Sequence, residues 1–377
     1  MLGRSTNMQK LYSTPASRIQ HAFGSFISYL VFISWTVITV VPLIWMLYSS
    51  FKSNEELVKD IYALPKALFD NEKDEYVVIP KTLNVILPYD PDKDPRERLI
   101  IESTTIAPTL RLMVHFLVKE NLPPGLQHLK PGDTLRISQL PRSMQRDIHW
   151  KTVFFNYRSA FERGKLAGKF INSLLYSGIS TFLIVLFGLM AGFGLSKMAY
   201  KKASMFISGL IGFGYLISTN SVIIPLFLML SNMKLTDTHL GVILVYTAFG
   251  LPLSVMLTTQ FIRDLPDSLI ESAFIDGATY FKMFSSLIVP MTVPVITTIS
   301  IISALGIWNE FLLVLVIASS ELTKSLPVGV YSFSSLTSTQ LGWQLAALVI
   351  AVLPVMIVYF IFNKRLTQGV VAGAVKG

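Results

Sequence analysis

Residues 22–51 contain no charged side chain. A helix needs about 20 apolar residues to cross the hydrocarbon core of a bilayer. A chain that returns repeatedly to such stretches is confined to folds that satisfy every backbone polar group internally. Five more charge-poor stretches follow, at 170–196, 203–233, 238–262, 283–309 and 325–363. The six spans they imply lie near 26–48, 170–195, 205–230, 239–261, 292–318 and 343–362. Composition agrees, with 52% hydrophobic and 15% charged residues, against about 25% charged in soluble domains. Arg4, Lys10 and Arg18 precede the first stretch. It is too long for the apolar core of a signal peptide and shows no clear cleavage site, so it reads as a retained membrane helix.

Six spans put both termini on one side, and the placement of Lys and Arg says which. The N-terminus, the 197–202 and 263–282 connections and the C-terminal tail carry eleven of them, whereas the two short opposite loops carry only Lys234 and Lys324. Positive residues gather on the cytoplasmic side of a membrane. Both termini are therefore expected in the cytoplasm, with residues 52–169 outside. The net charge of +9 is this edge bias. No basic cluster is interleaved with aromatics along a polar face, so the charge points to membrane lipid and makes nucleic acid a poor reading. The chain has no cysteine, which removes disulfides and thiolate metal sites. His21, His115, His128, His149 and His239 lack metal-ligand spacing.

Residues 52–169 hold 19 Lys/Arg and 16 Asp/Glu, a balance unlike the rest of the chain. Strand-like runs lie at 76–79, 83–89, 98–104 and 133–140, and a helix-like run, TLRLMVHFLVKEN, at 109–121. The turn signals PYDPDKDP and ENLPPG separate them. This mixture predicts a small folded subdomain, α/β or β, over residues 66–150. The expected fold class is thus an all-α membrane protein with an extracytoplasmic insertion between its first and second helices. Residues 1–65 hold the N-terminus and first span, 66–150 the insertion, and 151–377 five further helices.

Several polar features interrupt the apolar pattern. GKLAGKF at 164–170 glances at a phosphate loop, but a true one has four residues between the glycines and Ser or Thr after the lysine. Here three intervene and Phe170 follows, so the segment is read as a basic membrane-edge anchor. There is no HExxH, no GxSxG and no pair of intramembrane carboxylates, and no catalytic residue is assigned. Glu310 falls inside the expected fifth span, in WNEF. An intramembrane acid is functional by default, unless it meets water or caps a neighbour at a helix end. Ser218, Thr219, Asn220 and Ser221 form a polar knot in the third span. Such a knot lines a translocation path or serves as glue between helices. Gly188, Gly192 and Gly194 read as close helix contact.

Residues 271–290, ESAFIDGATYFKMFSSLIVP, are charged and glycine-broken, yet lie between two apolar stretches. Leu269, Ile270, Ala273 and Phe274 make one apolar stripe of a short helix. Pro266 suits its first turn, and Gly277 suits the left-handed position that ends it. A second short helix would run to about Pro290. The pair is too polar for lipid, so its stripe must dock, on the membrane surface or on a partner protein.

The spacing resembles the cytoplasmic signature of the inner-membrane permeases of ABC importers: EAA, three residues, Gly, nine residues, then I-x-L-P. Glu271-Ser272-Ala273, Gly277 and Leu287-Ile288-Val289-Pro290 stand at that spacing. SFK at 50–52, NY at 156–157, NS at 172–173, the run 235–255, LGIWNEFLL at 305–313 and the GAVKG terminus are similar to the carbohydrate, maltose-type subgroup. The resemblance covers 20–65 and 150–377; a typical member has no counterpart of 66–150. It implies the six-helix type I permease fold. It also implies a coupling helix, within 264–290, that seats in a cleft of a cytoplasmic ATPase through Glu271, Ser272, Ala273, Asp276, Gly277 and Pro290. The chain lacks a phosphate loop, so ATP and Mg would be bound by a separate ATPase dimer and no cofactor by the chain itself. A second permease subunit, usually a different chain, and an extracytoplasmic sugar-binding protein would complete the importer. The substrate path is expected from Asn220, Ser221, Tyr246, Trp308, Asn309 and Glu310, which offer sugars both hydrogen bonds and ring contact. One competing reading is an ion-coupled secondary transporter, which calls for broken-helix repeats and several intramembrane ionisable groups. The other is a membrane sensor with an extracytoplasmic ligand domain, which explains the insertion but not the coupling segment.

Overall fold

The computed structural model describes residues 15–69, 153–197, 201–334 and 340–374, and between 70 and 152 only the pieces 76–78, 100–102, 115–117, 134–136, 142, 146 and 149–150. The chain divides into two compact units, Met1–Asn156 and Tyr157–Gly377.

In the first unit, α1 (Pro15–Ser49) is charge-free from Ala22 onward and its side chains from Phe26 to Leu47 are mostly exposed, as suits a helix with lipid for solvent. α2 (Asn54–Lys59) opens on a capping box: the Ser53 hydroxyl accepts the Glu56 N–H while the Glu56 carboxylate accepts the Ser53 N–H. α3 (Lys66–Phe69) follows. The Asn156 amide donates to the carbonyls of Ser50 and Lys52 at 2.8 and 2.7 Å, tying together the two ends of the chain between them. That intervening chain carries β1 (Tyr76–Val78), β2 (Ile100–Glu102), β3 (His115–Leu117) and β4 (Thr134–Arg136) in one antiparallel sheet of order β3-β2-β1-β4. Val78 stands opposite Glu102 on one side and Thr134 on the other. Three of the four expected strand runs contain these strands, and the run 83–89 lies outside the described residues. The helix-like run 109–121 is a correction, because it contains β3. A short apolar run does not distinguish helix from strand by itself, and the open edge of β2 decides the matter by pairing with His115–Leu117.

α4 (Phe155–Arg163) crosses the division between the units. The second unit then holds α5 (Leu166–Lys197), α6 (Lys201–Tyr215), α7 (Ile223–Asn232), α8 (His239–Arg263) and α9 (Asp267–Ile275). α10 (Tyr280–Met291) contains a π turn at Phe284–Ile288. It is followed by α11 (Val293–Asn309), α12 (Leu312–Ile317), α13 (Leu326–Tyr331) and α14 (Leu341–Ala374). Among the described residues, α1, α5, α8 and α14 each contain a helix long and apolar enough to cross a membrane. Two more spans qualify only as bent pairs: α6 with Thr219–Asn232, bent by 83°, and α10 with α11, bent by 74°.

Two expected spans are thus corrected. The third is not one helix over 205–230. Ser218 has extended backbone (ψ 133°) and a 3-10 turn, Thr219–Val222, precedes α7. The fifth does not reach 318. α11 stops at Asn309, where Glu310 turns extended (φ −72°, ψ 133°), and α12 starts afresh.

α5 and α8 pack along a seam of small residues. Ser254 Oγ donates to the Ile184 carbonyl at 3.0 Å, and Thr258 Oγ1 to the Gly188 carbonyl at 2.8 Å. A Cβ at Gly188 would sit 1.9 Å from Ser254 Oγ, and one at Gly192 2.4 Å from Thr258 Oγ1. These two glycines make the close contact that their spacing predicts, letting backbones approach where hydroxyls can bridge them.

Candidate functional site

The ESAFIDG segment folds as a mounted corner. Pro266 is the N-cap, and α9 begins at Asp267. The carboxylate in the first turn complements the helix dipole. Lys197 at the end of α5 anchors it, reaching Asp267 Oδ1 at 2.5 Å and the Leu265 carbonyl at 2.8 Å. The hydrogen bond and charge of Lys197 hold the Asp267 carboxyl below its ordinary value. α9 ends in a Schellman motif, with Ala278 N–H on the Ala273 carbonyl and Gly277 N–H on the Phe274 carbonyl. Gly277 has φ +74° and nothing within 4 Å of a Cβ built there, so the position calls for glycine by backbone angle and not by space. Thr279 then caps α10, accepting the Lys282 N–H.

The apolar faces of this corner divide in a way the stripe does not predict. Ile270 is buried with Phe193, Ile262, Met283 and Ile288, and Ala273 packs on the same cluster. The stripe is therefore partly spent inside the chain. The outward face belongs instead to Phe274, Ile275, Tyr280 and Phe281, with Ile275 86% and Phe281 77% exposed. Phe274 and Tyr280 meet edge to face at 5.3 Å, bracing the two helices. Glu271, Ser272, Asp276 and Pro290 are exposed, and Pro290 lies just before the bend at Thr292.

The second feature is a cavity of about 450 Å³ at the break between α6 and α7. Ser218, Thr219 and Asn220 line it, facing Tyr246 and Phe249 of α8 and Ser303, Gly306 and Ile307 of α11. Glu310 closes one side. Its Oε2 accepts the Tyr246 hydroxyl at 2.9 Å, and its Oε1 accepts the Leu313 N–H at 2.9 Å, capping α12. Glu310 is thus both a lining group and a helix cap. The sequence-predicted residues Asn220, Tyr246 and Glu310 meet here, whereas Ser221, Trp308 and Asn309 are not among the lining residues. Trp308 is buried against Phe170 and donates to the Ala351 carbonyl at 3.1 Å. Asn309 turns back to its own helix, donating to the Leu305 carbonyl at 2.9 Å.

A third cluster, at the opposite end of α5 from Lys197, was not foreseen. Lys169 is no membrane-edge anchor: it is 1% exposed, bonded to the Gly164 carbonyl and paired with Glu321 at 2.8 Å. Hydrogen bonds from Lys169 and Lys324 pull the Glu321 carboxyl down to about 2. Asn172 donates to the Leu322 and Lys324 carbonyls, and Tyr176 to that of Thr323. Asp237 accepts from Ser320 N–H and the Thr323 hydroxyl. Burial works against the Asp237 carboxylate, but these bonds outweigh it and leave the group below its ordinary value. The loop 318–325 is thereby fixed to α5. Asn172, noted in sequence only as half of NS, was the available signal.

Residues 184–371 match the family of binding-protein-dependent transport system inner membrane components. The chain is 32% identical over 225 residues to the melibiose/raffinose/stachyose import permease protein MelC of Bacillus subtilis, covering 59% of this chain and 81% of MelC. It is 25% identical over 349 residues to the diacetylchitobiose uptake system permease protein NgcG of Streptomyces coelicolor, covering 92% of this chain and 87% of NgcG. An alignment of that length extends into 66–150, which the resemblance by motif did not reach. A solved chain from a bacterial ABC transporter involved in alginate import superposes with a TM-score of 0.58 and 17% identity, covering 93% of this chain and 98% of that one. At that identity the likeness is one of fold.

Proposed function

The chain belongs to the family of binding-protein-dependent transport system inner membrane components, and from this premise we propose how it works. It is a multi-pass permease subunit with the type I importer fold, a transport subunit whose ATPase is a separate chain. The cargo we assign is a sugar or oligosaccharide handed over by an extracytoplasmic binding protein, a reading supported by the names of MelC and NgcG. The cavity at Ser218–Asn220, with Tyr246 and Glu310, is the part of the path this chain contributes. A second permease subunit would complete that path, and the partner ATPase dimer would bind ATP and Mg. Both termini lie in the cytoplasm in this reading, and residues 66–150 stand outside, against the binding protein or the outer gate.

The observation that carries the coupling assignment is the mounted face of Phe274, Ile275, Tyr280 and Phe281. Its reverse side packs through Ile270 and Met283 against Phe193 of α5 and Ile262 of α8, so a push on it is transmitted to those helices. Exposed apolar side chains on a polar-flanked corner mark a protein contact. The chain has no native cysteine, so Ser272→Cys can be paired by crosslinker with a cysteine in the ATPase cleft. A crosslink in assembled, transporting complex is the expected result. No crosslink in such a complex would mean that the corner lies on the lipid surface.

A further inference from the structure

The chain just beyond the first span folds back on it. Residues 60–64 have no regular secondary structure, yet their backbone groups are bonded from several directions. Trp45 Nε1 donates to the Ile61 carbonyl at 3.1 Å and the Tyr48 hydroxyl to that of Tyr62 at 3.4 Å. The buried Lys52 ammonium donates to the carbonyls of Asp60 and Ile61 at 3.2 and 2.7 Å. The Asp60 carboxylate accepts the N–H groups of Tyr62 and Ala63 at 2.9 and 3.2 Å. Three successive carbonyls and two successive N–H groups of an irregular segment are satisfied within the chain.

The side chains do the opposite. Val58 and Tyr62 are each 80% exposed, Leu64 60% and Phe69 66%. A surface loop in water can leave its carbonyls to the solvent and has no use for so many outward apolar groups. Irregular backbone at membrane depth is tolerated only where its polar groups find partners. Trp45 lies four residues before the end of α1, about 6 Å back along the axis at 1.5 Å per residue, and its indole holds Ile61 near that level. Trp and Tyr are enriched where a span meets the headgroups, and here Trp45 and Tyr48 are the anchors.

We propose that residues 58–69 form a hook lying in the lipid interface at the end of the first span, with Val58, Tyr62, Leu64 and Phe69 at the boundary between headgroups and acyl chains. Lipid is favoured over a partner protein by continuity, because the hook prolongs the exposed apolar surface of α1. Lys59 and Lys66, both exposed, supply cations at headgroup level.

Single cysteines at Tyr62 and Leu64, spin-labelled in the full chain with its partner subunits in bilayers, test the placement. Phe32→Cys, in the middle of α1, is the lipid reference and Glu162→Cys, on the exposed face of α4, the aqueous one. Both hook labels should collide with dissolved oxygen several-fold more than with a water-soluble nickel chelate, as at Phe32→Cys. Preference for the chelate, as at Glu162→Cys, would make the hook a solvated loop. Low collision with both reagents would mean that protein covers it, and either result overturns the proposal.

Discussion

Two regions of the second unit place hydroxyls inside apolar helices, and they use them in opposite ways. Along the α5–α8 seam, Ser180, Ser254 and Thr258 are at most 1% exposed, and each donates to a carbonyl of the facing helix. At the α6–α7 break, the side chains of Ser218, Thr219 and Asn220 make no hydrogen bond among the described residues and open onto the cavity instead. The first arrangement is glue, because these three hydroxyls are spent on backbone carbonyls. The second keeps its donors and acceptors free, as a path for a hydroxyl-rich cargo requires. Residue type alone does not separate the two; what separates them is whether a backbone carbonyl of the facing helix lies within reach, which Gly188 and Gly192 allow for Ser254 and Thr258.

The largest effect should come from closing that glycine gap. Gly192→Leu places a side chain where even a Cβ meets Thr258 Oγ1 at 2.4 Å. Overpacking a tight contact costs roughly 1–3 kcal/mol or more. The variant should lose folded protein on extraction into detergent, read as a lowered melting temperature. A normal melt would show that the seam is slack.

Glu310 both lines the cavity and caps α12, and it should respond in two graded steps. Glu310→Ala removes the acceptor of the Tyr246 hydroxyl and the cap on Leu313 N–H together, leaving buried donors unpaired at roughly 1–3 kcal/mol. Glu310→Gln keeps an acceptor for Leu313 and should cost less. Equal melts for the two variants would contradict the cap. Thr258→Val is milder still: hydrogen bonds between membrane helices average about 0.6 kcal/mol, so the melt should fall slightly while uptake stays normal.

The smallest effect concerns polarity used outside the spans. The Glu321 carboxyl is depressed to about 2 from an ordinary 4.5, so it contributes stability above 4.5 that is lost as pH falls from there toward 2. Nearly half of that side chain is exposed, and water screens the pair. Wild type should melt slightly above Glu321→Gln at pH 6, and the gap should narrow as pH falls below 4.5 and close only toward pH 2. A gap that stays constant would mean the ion pair adds nothing.

Much of this was legible in the sequence for a simple reason. Hydropathy reports the solvent of a helix, so α1, α5, α8 and α14 could be placed from charge-free length. The corner at Gly277 was legible because Pro266 and Gly277 dictate local backbone geometry. The breaks at Ser218 and Glu310 were not, since their residues are apolar enough in aggregate to pass as continuous spans. Both breaks come together only in three dimensions, where Ser218 and Glu310 line the same cavity with residues of α8 and α11. Trp308 and Lys169 misled for a related reason. An indole beside a carboxylate suggests a shared site, and a lysine at a span edge suggests headgroups. Their directions are set by Ala351 and Glu321, partners that lie far off in the chain.

The contrast between glue and lining is tested most directly at Asn220. Asn220→Leu removes an amide from the cavity wall, and the measurement is sugar uptake per assembled complex, with the complex quantified in the same membranes. Uptake should fall while assembly stays at the wild-type level. Unchanged uptake at normal assembly, or lost uptake that tracks lost assembly, would contradict the account and make the α6–α7 break another piece of packing.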